Sequence, residues 1–300
     1  MKLTPRKKKI LTMGLLVALT VGLAGCSVPT DKNGKTILIT NSTTFRSVMK
    51  DENWFSAIFV WPLAWCINHM APVIGVGGAI AIVTIVVNAI LALVTLKSTI
   101  ATQQMQMIQP ELEKIQRKYE GRDDDASKMR QANEMNALYK KYNINPAATM
   151  IVTFIQLPII MAMYMAVQRS EAVQHGKFLG MDLAITPLNG MKGIFQSHAV
   201  GWAYLLLFVF MAACQILSMK VPQIIQKRAA EKQAEKQHRR PQDTTSATGK
   251  YMQWYMIAMI LVFGLMWPSA MALYWAINSL VNVAKTIIIQ SIIEKKKAVA

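Results

Sequence analysis

Several uncharged polar side chains lie inside the long apolar stretches of this 300-residue chain. Thr84 and Asn88 are four residues apart and share one face of a helix, which Thr95 joins seven residues later. Polar groups buried in a bilayer tend to be functional, so we interpret the set as the lining of a hydrophilic groove. The alternative is hydrogen bonding that only holds the helices together. The candidate residues are Thr84, Asn88, Gln156, Gln215 and Trp275, with Asn278, Ser279 and Asn282 beside the last.

The motifs of redox, metal and nucleotide chemistry do not occur in the sequence. The three cysteines are Cys26, Cys66 and Cys214, and their spacing suggests neither a disulfide framework nor a metal site. No glycine-rich phosphate loop, HExxH motif or nucleophile–base constellation is recognisable. No apolar stretch has a charged residue near its centre, which argues against a proton relay or an ion-coupled transporter. We therefore expect no enzyme activity, no cofactor and no metal.

The N-terminus has the pattern of a lipoprotein signal. Lysines and an arginine precede an apolar run, and Leu-Ala-Gly-Cys follows at 23–26. We predict that residues 1–25 are removed and that Cys26 carries a lipid outside the cytoplasm. The alternative is a plain signal anchor with an incidental cysteine.

The composition indicates an integral membrane protein, since 53% of the residues are hydrophobic and 16% are charged, against about 25% charged in soluble domains. About 20 helical residues cross about 30 Å of hydrocarbon, and five apolar stretches approach that length. We predict an all-α integral membrane protein with five transmembrane helices. These spans are 73–96, 147–167, 201–219, 251–267 and 268–290.

The distribution of lysine and arginine predicts the orientation, because cytoplasmic loops are enriched in both. Segments 97–146 and 220–250 and the tail 291–300 are rich in these residues, whereas loop 168–200 contains only three of them. The C-terminus is therefore predicted to be cytoplasmic, and the N-terminus and loop 168–200 external. The net charge of +17 also suits anionic lipid headgroups or ribosomal RNA, although a plain topology signal explains it as well.

Residues 26–72 are predicted to be an external tether followed by an interfacial amphipathic helix. The first half is polar, and the tryptophan-rich segment 53–70 is interrupted by Pro62. Its apolar run is too short to cross a bilayer and suits the headgroup level. The alternative is a sixth, poor span.

Segment 97–146 is predicted to form a cytoplasmic helical hairpin. Its first half has apolar residues at alternating spacings of four and three, which is typical of one helix face in contact with a partner. Gly121 and three aspartates then break the pattern, a second helix resumes near Ala126, and Pro110 should bend the first helix or mark a joint. The first stripe is Ala101, Met105, Ile108, Leu112, Ile115 and Tyr119.

Five stretches in this order resemble the YidC/Oxa/Alb membrane protein insertase family, in particular the lipoprotein members of Gram-positive bacteria. The resemblance covers about residues 53–293. The matching stretches are MIQPEL at 107–112, IQRKY at 115–119, ALYKKY with NP between 137 and 146, FIQLP at 154–158 and PSAMALYW at 268–275.

The resemblance implies a membrane protein insertase and chaperone of the bacterial cell membrane, with five helices around a hydrophilic groove open to cytoplasm and lipid. It implies nascent membrane proteins as clients and the Sec translocon as a partner, with the ribosome and signal-recognition machinery as further candidates. By position it assigns the groove to Thr84, Asn88, Gln215 and Trp275, and less directly to Gln156.

This chain departs from the family at Asn88, where bacterial members usually have an arginine. We therefore expect a groove that is hydrophilic but uncharged, in which hydration rather than a fixed cation eases polar peptide into the membrane. The rival interpretations are a small-solute transporter or channel and a scaffold lipoprotein for membrane assembly.

Overall fold

The computed structural model describes residues 28–196, 199–236 and 247–299. The predicted signal at 1–25, the lipidation site Cys26 and the middle of the basic loop 220–250 lie outside these residues. The chain is an all-α membrane protein, and the described part contains only one two-stranded hairpin, Lys177–Phe178 with Met181–Asp182.

Five long helices follow the order of the predicted spans. They are α2 (Trp61–Met107), α5 (Pro146–Arg169), α8 (Ala199–Lys236), α9 (Ala247–Met266) and α10 (Ser269–Val299). Three stretches of the described residues, Ser56–Met105, Ala199–Ile225 and Ser269–Ile292, are long and apolar enough to cross a membrane, and Gln253–Met266 is a shorter apolar helix. The count of five spans and their orientation stay predictions.

Helix α2 contains both the predicted interfacial helix and the first predicted span. A short π-helix, Ser56–Val60, leads into it without a break, and Pro62 lies two residues after the end of this π-helix. The helix breaks at Gly75 (φ 75°, ψ 159°), a conformation that glycine adopts without strain. The predicted boundary at 72/73 therefore lies close to this kink.

Helices α2 and α10 occupy the middle of the bundle. Helix α2 packs against both α5 and α10, α10 also packs against α8, and α9 contacts α8 and α10. The buried apolar residues between them form one cluster. Its members include Ile80, Val83, Met163, Met211, Met271 and Tyr274.

Residues 28–52 are docked on the bundle, where the sequence predicts a tether. Helix α1 (Phe45–Asp51) lies in this segment. The buried Arg169 guanidinium, at the end of α5, pairs with both carboxylate oxygens of Glu52, and its Nε donates to the Ile37 carbonyl at 2.8 Å. Asn68 Nδ2 donates to the Ile39 carbonyl at 2.6 Å. A buried ion pair with these backbone bonds therefore fastens the segment to α2 and α5.

Loop 168–200 covers the same end of the bundle. It contains α6 (Glu171–His175), the strand hairpin, α7 (Pro187–Met191) and a 3₁₀ helix, Lys192–Gln196. Ser269 donates to the Ile185 carbonyl through both its hydroxyl (2.6 Å) and its backbone nitrogen (2.9 Å). The loop thereby caps the start of α10.

The hairpin consists of α3 (Gln109–Lys118) and α4 (Asp125–Lys141). The apolar stripe predicted for one helix is divided at Ile108, and Pro110 lies in the first turn of α3, so the expected joint is present. Contacts of Glu111 with Tyr142 (2.6 Å) and of Lys118 with Glu134 (2.6 Å) show that the two helices run antiparallel.

Hydrogen bonds within the hairpin shift several pKa values, among them those of Glu134 and Tyr142. The hydrogen bond from Lys118, and then that from Tyr119, lowers the pKa of the Glu134 carboxyl. The hydrogen bond to Glu111 raises the pKa of the Tyr142 hydroxyl to about 12. At neutral pH, Glu134 is therefore ionised and Tyr142 keeps its proton.

The Arg169–Glu52 pair yields a stability prediction. Glu52→Gln leaves a buried guanidinium without its counter-charge, which costs about 3–5 kcal/mol for a buried pair. We expect a clear fall in the midpoint of thermal unfolding, measured by scanning fluorimetry of the purified protein. Asp51→Asn is the control, because Asp51 is adjacent and exposed. Equal midpoints for both variants would contradict a stabilising role for the pair.

Protonation of Glu134 should loosen the hairpin at acid pH. The folded-state pKa lies below the ordinary 4.5, so the stabilisation is complete above about pH 4.5 and is lost as the pH falls through the folded value. Hydrogen exchange of residues 109–141, corrected for intrinsic rates, should rise as the pH is lowered from neutral to well below 4.5. Glu134→Gln should exchange faster already at neutral pH, whereas Glu120→Gln, at an exposed position, should behave as the unsubstituted protein. If the amides of residues 109–141 were equally protected at neutral pH and well below pH 4.5, the prediction would be refuted.

Candidate functional site: a polar cluster between three helices

The polar residues of α2 face the interior of the bundle. Thr84 and Asn88 are 0% and 2% exposed, and Thr95 is also buried. Thr84 Oγ1 donates to the Ile80 carbonyl at 2.7 Å, and Asn88 Nδ2 donates to the Thr84 carbonyl at 2.9 Å. The opposite side of α2 exposes apolar residues, as a lipid-facing surface does. These are Ile85, Val86, Ile90, Leu93 and Val94.

Asn88 also contacts a charged residue of another helix. Lys285 Nζ, from α10, donates to Asn88 Oδ1 at 3.0 Å. The expectation of an uncharged groove is therefore wrong, because the long lysine side chain spans the gap between α10 and α2. The sequence contained the signal, since Lys285 is the only charged residue in the five predicted spans. Its position near the end of the last span concealed its link to Asn88.

Gln215 forms a second contact on α10. Ser279 Oγ donates to Gln215 Oε1 of α8 at 2.7 Å. Ser279 lies six residues before Lys285, or about 9 Å along the helix. Nearby, Asn278 Oδ1 and the Tyr274 hydroxyl are buried without a hydrogen-bond partner among the described residues. Helix α10 is therefore the shared wall of the cluster, facing α8 at one level and α2 at the next.

The other two candidate residues lie apart from this polar cluster. Trp275 is buried in the apolar core and stacks on Trp267, with ring centroids 5.4 Å apart. Gln156 is half-buried on α5 and makes none of the hydrogen bonds that join Asn88, Lys285, Gln215 and Ser279. The cluster consists of two hydrogen bonds between helices, and its residues on α2 are buried.

Metal-binding groups do not gather in the part of the chain that the structure describes. No three His, Cys, Asp or Glu side chains lie close enough there to hold an ion. Cys66 and Cys214 are free thiols.

Comparison with known proteins identifies the family. The profile of the family described as "60Kd inner membrane protein" matches residues 68–297. Membrane protein insertase YidC 2 of Bacillus anthracis is 29% identical over 95% of this chain and 94% of its own length. Membrane protein insertase YidC of Oceanobacillus iheyensis is 29% identical over 97% of this chain and its full length, and membrane protein insertase MisCA of Bacillus subtilis is 28% identical over 77% of each chain. The chain belongs to the 60Kd inner membrane protein family, which is the YidC/Oxa/Alb family of the sequence resemblance.

Proposed function

We propose that this protein is a membrane protein insertase, which transfers segments of nascent membrane proteins into the bilayer. Similarity to insertases over nearly the whole chain supports this function. The observation that carries the mechanism is the polar cluster between α2, α8 and α10, within helices of membrane length. A polar peptide segment that meets this cluster loses less hydrogen bonding than one that enters hydrocarbon.

The driving force in this proposal comes from the client itself. Each methylene of its apolar segment gains about 0.8 kcal/mol on leaving water for lipid. The polar flank of the segment opposes entry, because its backbone and side chains must give up water. Amide, hydroxyl and ammonium groups of the cluster offset part of that loss, so the net step needs no nucleotide.

The structure supports the proposed topology in one respect. Segment 28–52 and loop 168–200 meet at one end of the bundle through Glu52 and Arg169, and the charge pattern predicts that both are external. A lipid on Cys26 would lie two residues before Val28, which packs against the same buried cluster as Phe55 and Trp61. Nascent chains, the Sec translocon, the ribosome with signal-recognition machinery, and anionic lipid headgroups are the proposed partners.

The rival functions make different demands on the same helices. An ion-coupled transporter needs paired ionisable groups in the membrane, whereas Lys285 has no acidic residue beside it in any predicted span. A scaffold needs only a packed bundle and would give a client no access to the cluster. An insertase, a channel and a scaffold therefore differ in the side of the membrane from which a water-soluble reagent can reach position 88.

Reconstitution tests the proposed function. The purified full-length protein in lipid vesicles should insert a single-span client without nucleotide, measured as a fragment protected from added protease. Vesicles without the protein are the control, because they report spontaneous insertion. Equal protection in both preparations would exclude an insertase that acts alone.

Cysteine accessibility separates the three functions. In a variant with Cys66 and Cys214 replaced, Asn88→Cys should react with a water-soluble thiol reagent from the cytoplasmic side only, during insertion of a client. Val86→Cys is the matched control on the lipid-facing side of α2 and should stay unlabelled. Labelling of position 88 from both sides would favour a channel, and the absence of labelling would favour a scaffold.

A further inference from the structure

Loop 168–200, which the charge pattern predicts to be external, has apolar side chains at two protruding points. Leu179, at the turn of the strand hairpin, is 76% exposed, and Phe195, in the 3₁₀ helix, is 92% exposed. We call these two side chains the apolar tips. Lys177 and Lys192 are also exposed and precede the tips by two and three residues. Protruding apolar residues beside lysines are typical of a surface that contacts lipid headgroups.

The backbone at Leu179 is unfavourable for a leucine. Its φ is 50°, and Gly180 follows with φ 80°, so the two residues form a tight turn between the paired Phe178 and Met181. Turns of this kind prefer glycine, asparagine or aspartate. Because the leucine side chain is exposed, packing within the protein does little to offset the strain. A strained apolar residue at an exposed tip therefore indicates a contact outside the protein.

Close packing against α8 holds both tips in place. The Tyr204 hydroxyl of α8 accepts from the Asp182 backbone nitrogen at 2.9 Å and donates to the Asp182 carbonyl at 2.9 Å, which fixes the strand hairpin. The 3₁₀ helix lies so close to Gly201 that a Cβ there would be 2.5 Å from the Ile194 backbone nitrogen. The tips therefore project from a packed scaffold, with their positions set relative to α8.

Both tips lie beside the first turn of α8, where the lipid-facing surface of that helix begins. Gly180 neighbours Val200, whose Cγ2 would be 3.9 Å from a Cβ at position 180, just as Ile194 neighbours Gly201. Exposed apolar residues then continue along one face of α8, which is long and apolar enough to cross a membrane. They are Trp202, Leu206 and Val209. Tryptophan is enriched at the membrane–water interface, so the tips are level with that interface.

A lipid surface fits the tips better than a second protein. The tips continue the lipid-facing row of α8 without a polar boundary, so a protein docked on them would also have to displace lipid from Trp202. The lysines support the same assignment, because Lys177 and Lys192 can extend their ammonium groups to headgroup phosphates while the apolar tips point into the leaflet.

We propose that Leu179 and Phe195 insert into the external leaflet of the membrane, so that loop 168–200 is a rigid anchor that sets the depth of the first turn of α8. The occupant of this surface is phospholipid, with the headgroups beside the two lysines and the upper part of the acyl chains beside the tips. The inference does not depend on the proposed insertase function, since it concerns only the position of the loop relative to the bilayer.

Spin labels at the tips test the proposal. The full-length protein, with Cys66 and Cys214 replaced, is placed in vesicles of phosphatidylcholine and phosphatidylglycerol, and Leu179→Cys or Phe195→Cys carries the label. The measurement is the ratio of label collisions with oxygen, which dissolves in lipid, to collisions with a water-soluble nickel complex. The protein without an introduced cysteine gives the background labelling.

Two control positions define the range of this ratio. Asn33→Cys lies in an exposed polar turn of segment 28–52 and reports water, and Val209→Cys lies on the exposed face of α8 and reports lipid. The ratios at positions 179 and 195 should be well above that at 33 and approach that at 209. Ratios equal to that at 33 would place the tips in water in a membrane of lipid alone, which would overturn the lipid anchor and leave the surface to a protein partner. If a label at 179 disturbs the strained turn and lowers the thermal midpoint, the ratio at 195 decides.

Discussion

A bilayer provides no water for the polar groups of a spanning helix, so each must bond to backbone or to another side chain. In α2 this constraint is met locally, since Thr84 and Asn88 donate to carbonyls of their own helix. Asparagine differs from threonine because its amide has a separate acceptor, and that acceptor faces α10. The contact with Lys285 therefore depends on a residue that can satisfy its own helix and still bond to a second one.

The charged residue at one end of the bundle has a counter-charge, and the charged residue at the other end has a neutral partner. Arg169 is paired with the Glu52 carboxylate, and the pair fastens segment 28–52 to α5. Lys285 has a neutral amide as its partner, so its charge remains available. The contact at the Arg169 end is therefore electrically neutral, whereas the contact at the Lys285 end carries a net positive charge.

Sequence periodicity predicts those features that depend on one helix at a time. The shared face of Thr84 and Asn88 and the joint at Pro110 follow from local geometry, and both are present. The sequence marks Lys285 as the only charged residue of the five predicted spans, but its contact with Asn88 depends on the distance between two helices and on the length of a side chain, which periodicity does not give. The docking of segment 28–52 depends likewise on Arg169, more than a hundred residues away, and polar composition alone suggested a tether.

The closed state of the cluster limits how a client can use it. Thr84 is fully buried, so its hydroxyl becomes accessible only when α2 and its neighbours separate. Lys285 is half-buried, and its four-carbon stem can turn without displacement of a helix. The Lys285 side chain is therefore more exposed than those of Thr84 and Asn88. The hydrogen bond from Lys285 to Asn88 Oδ1 links α10 to α2, so this bond must break when the two helices separate.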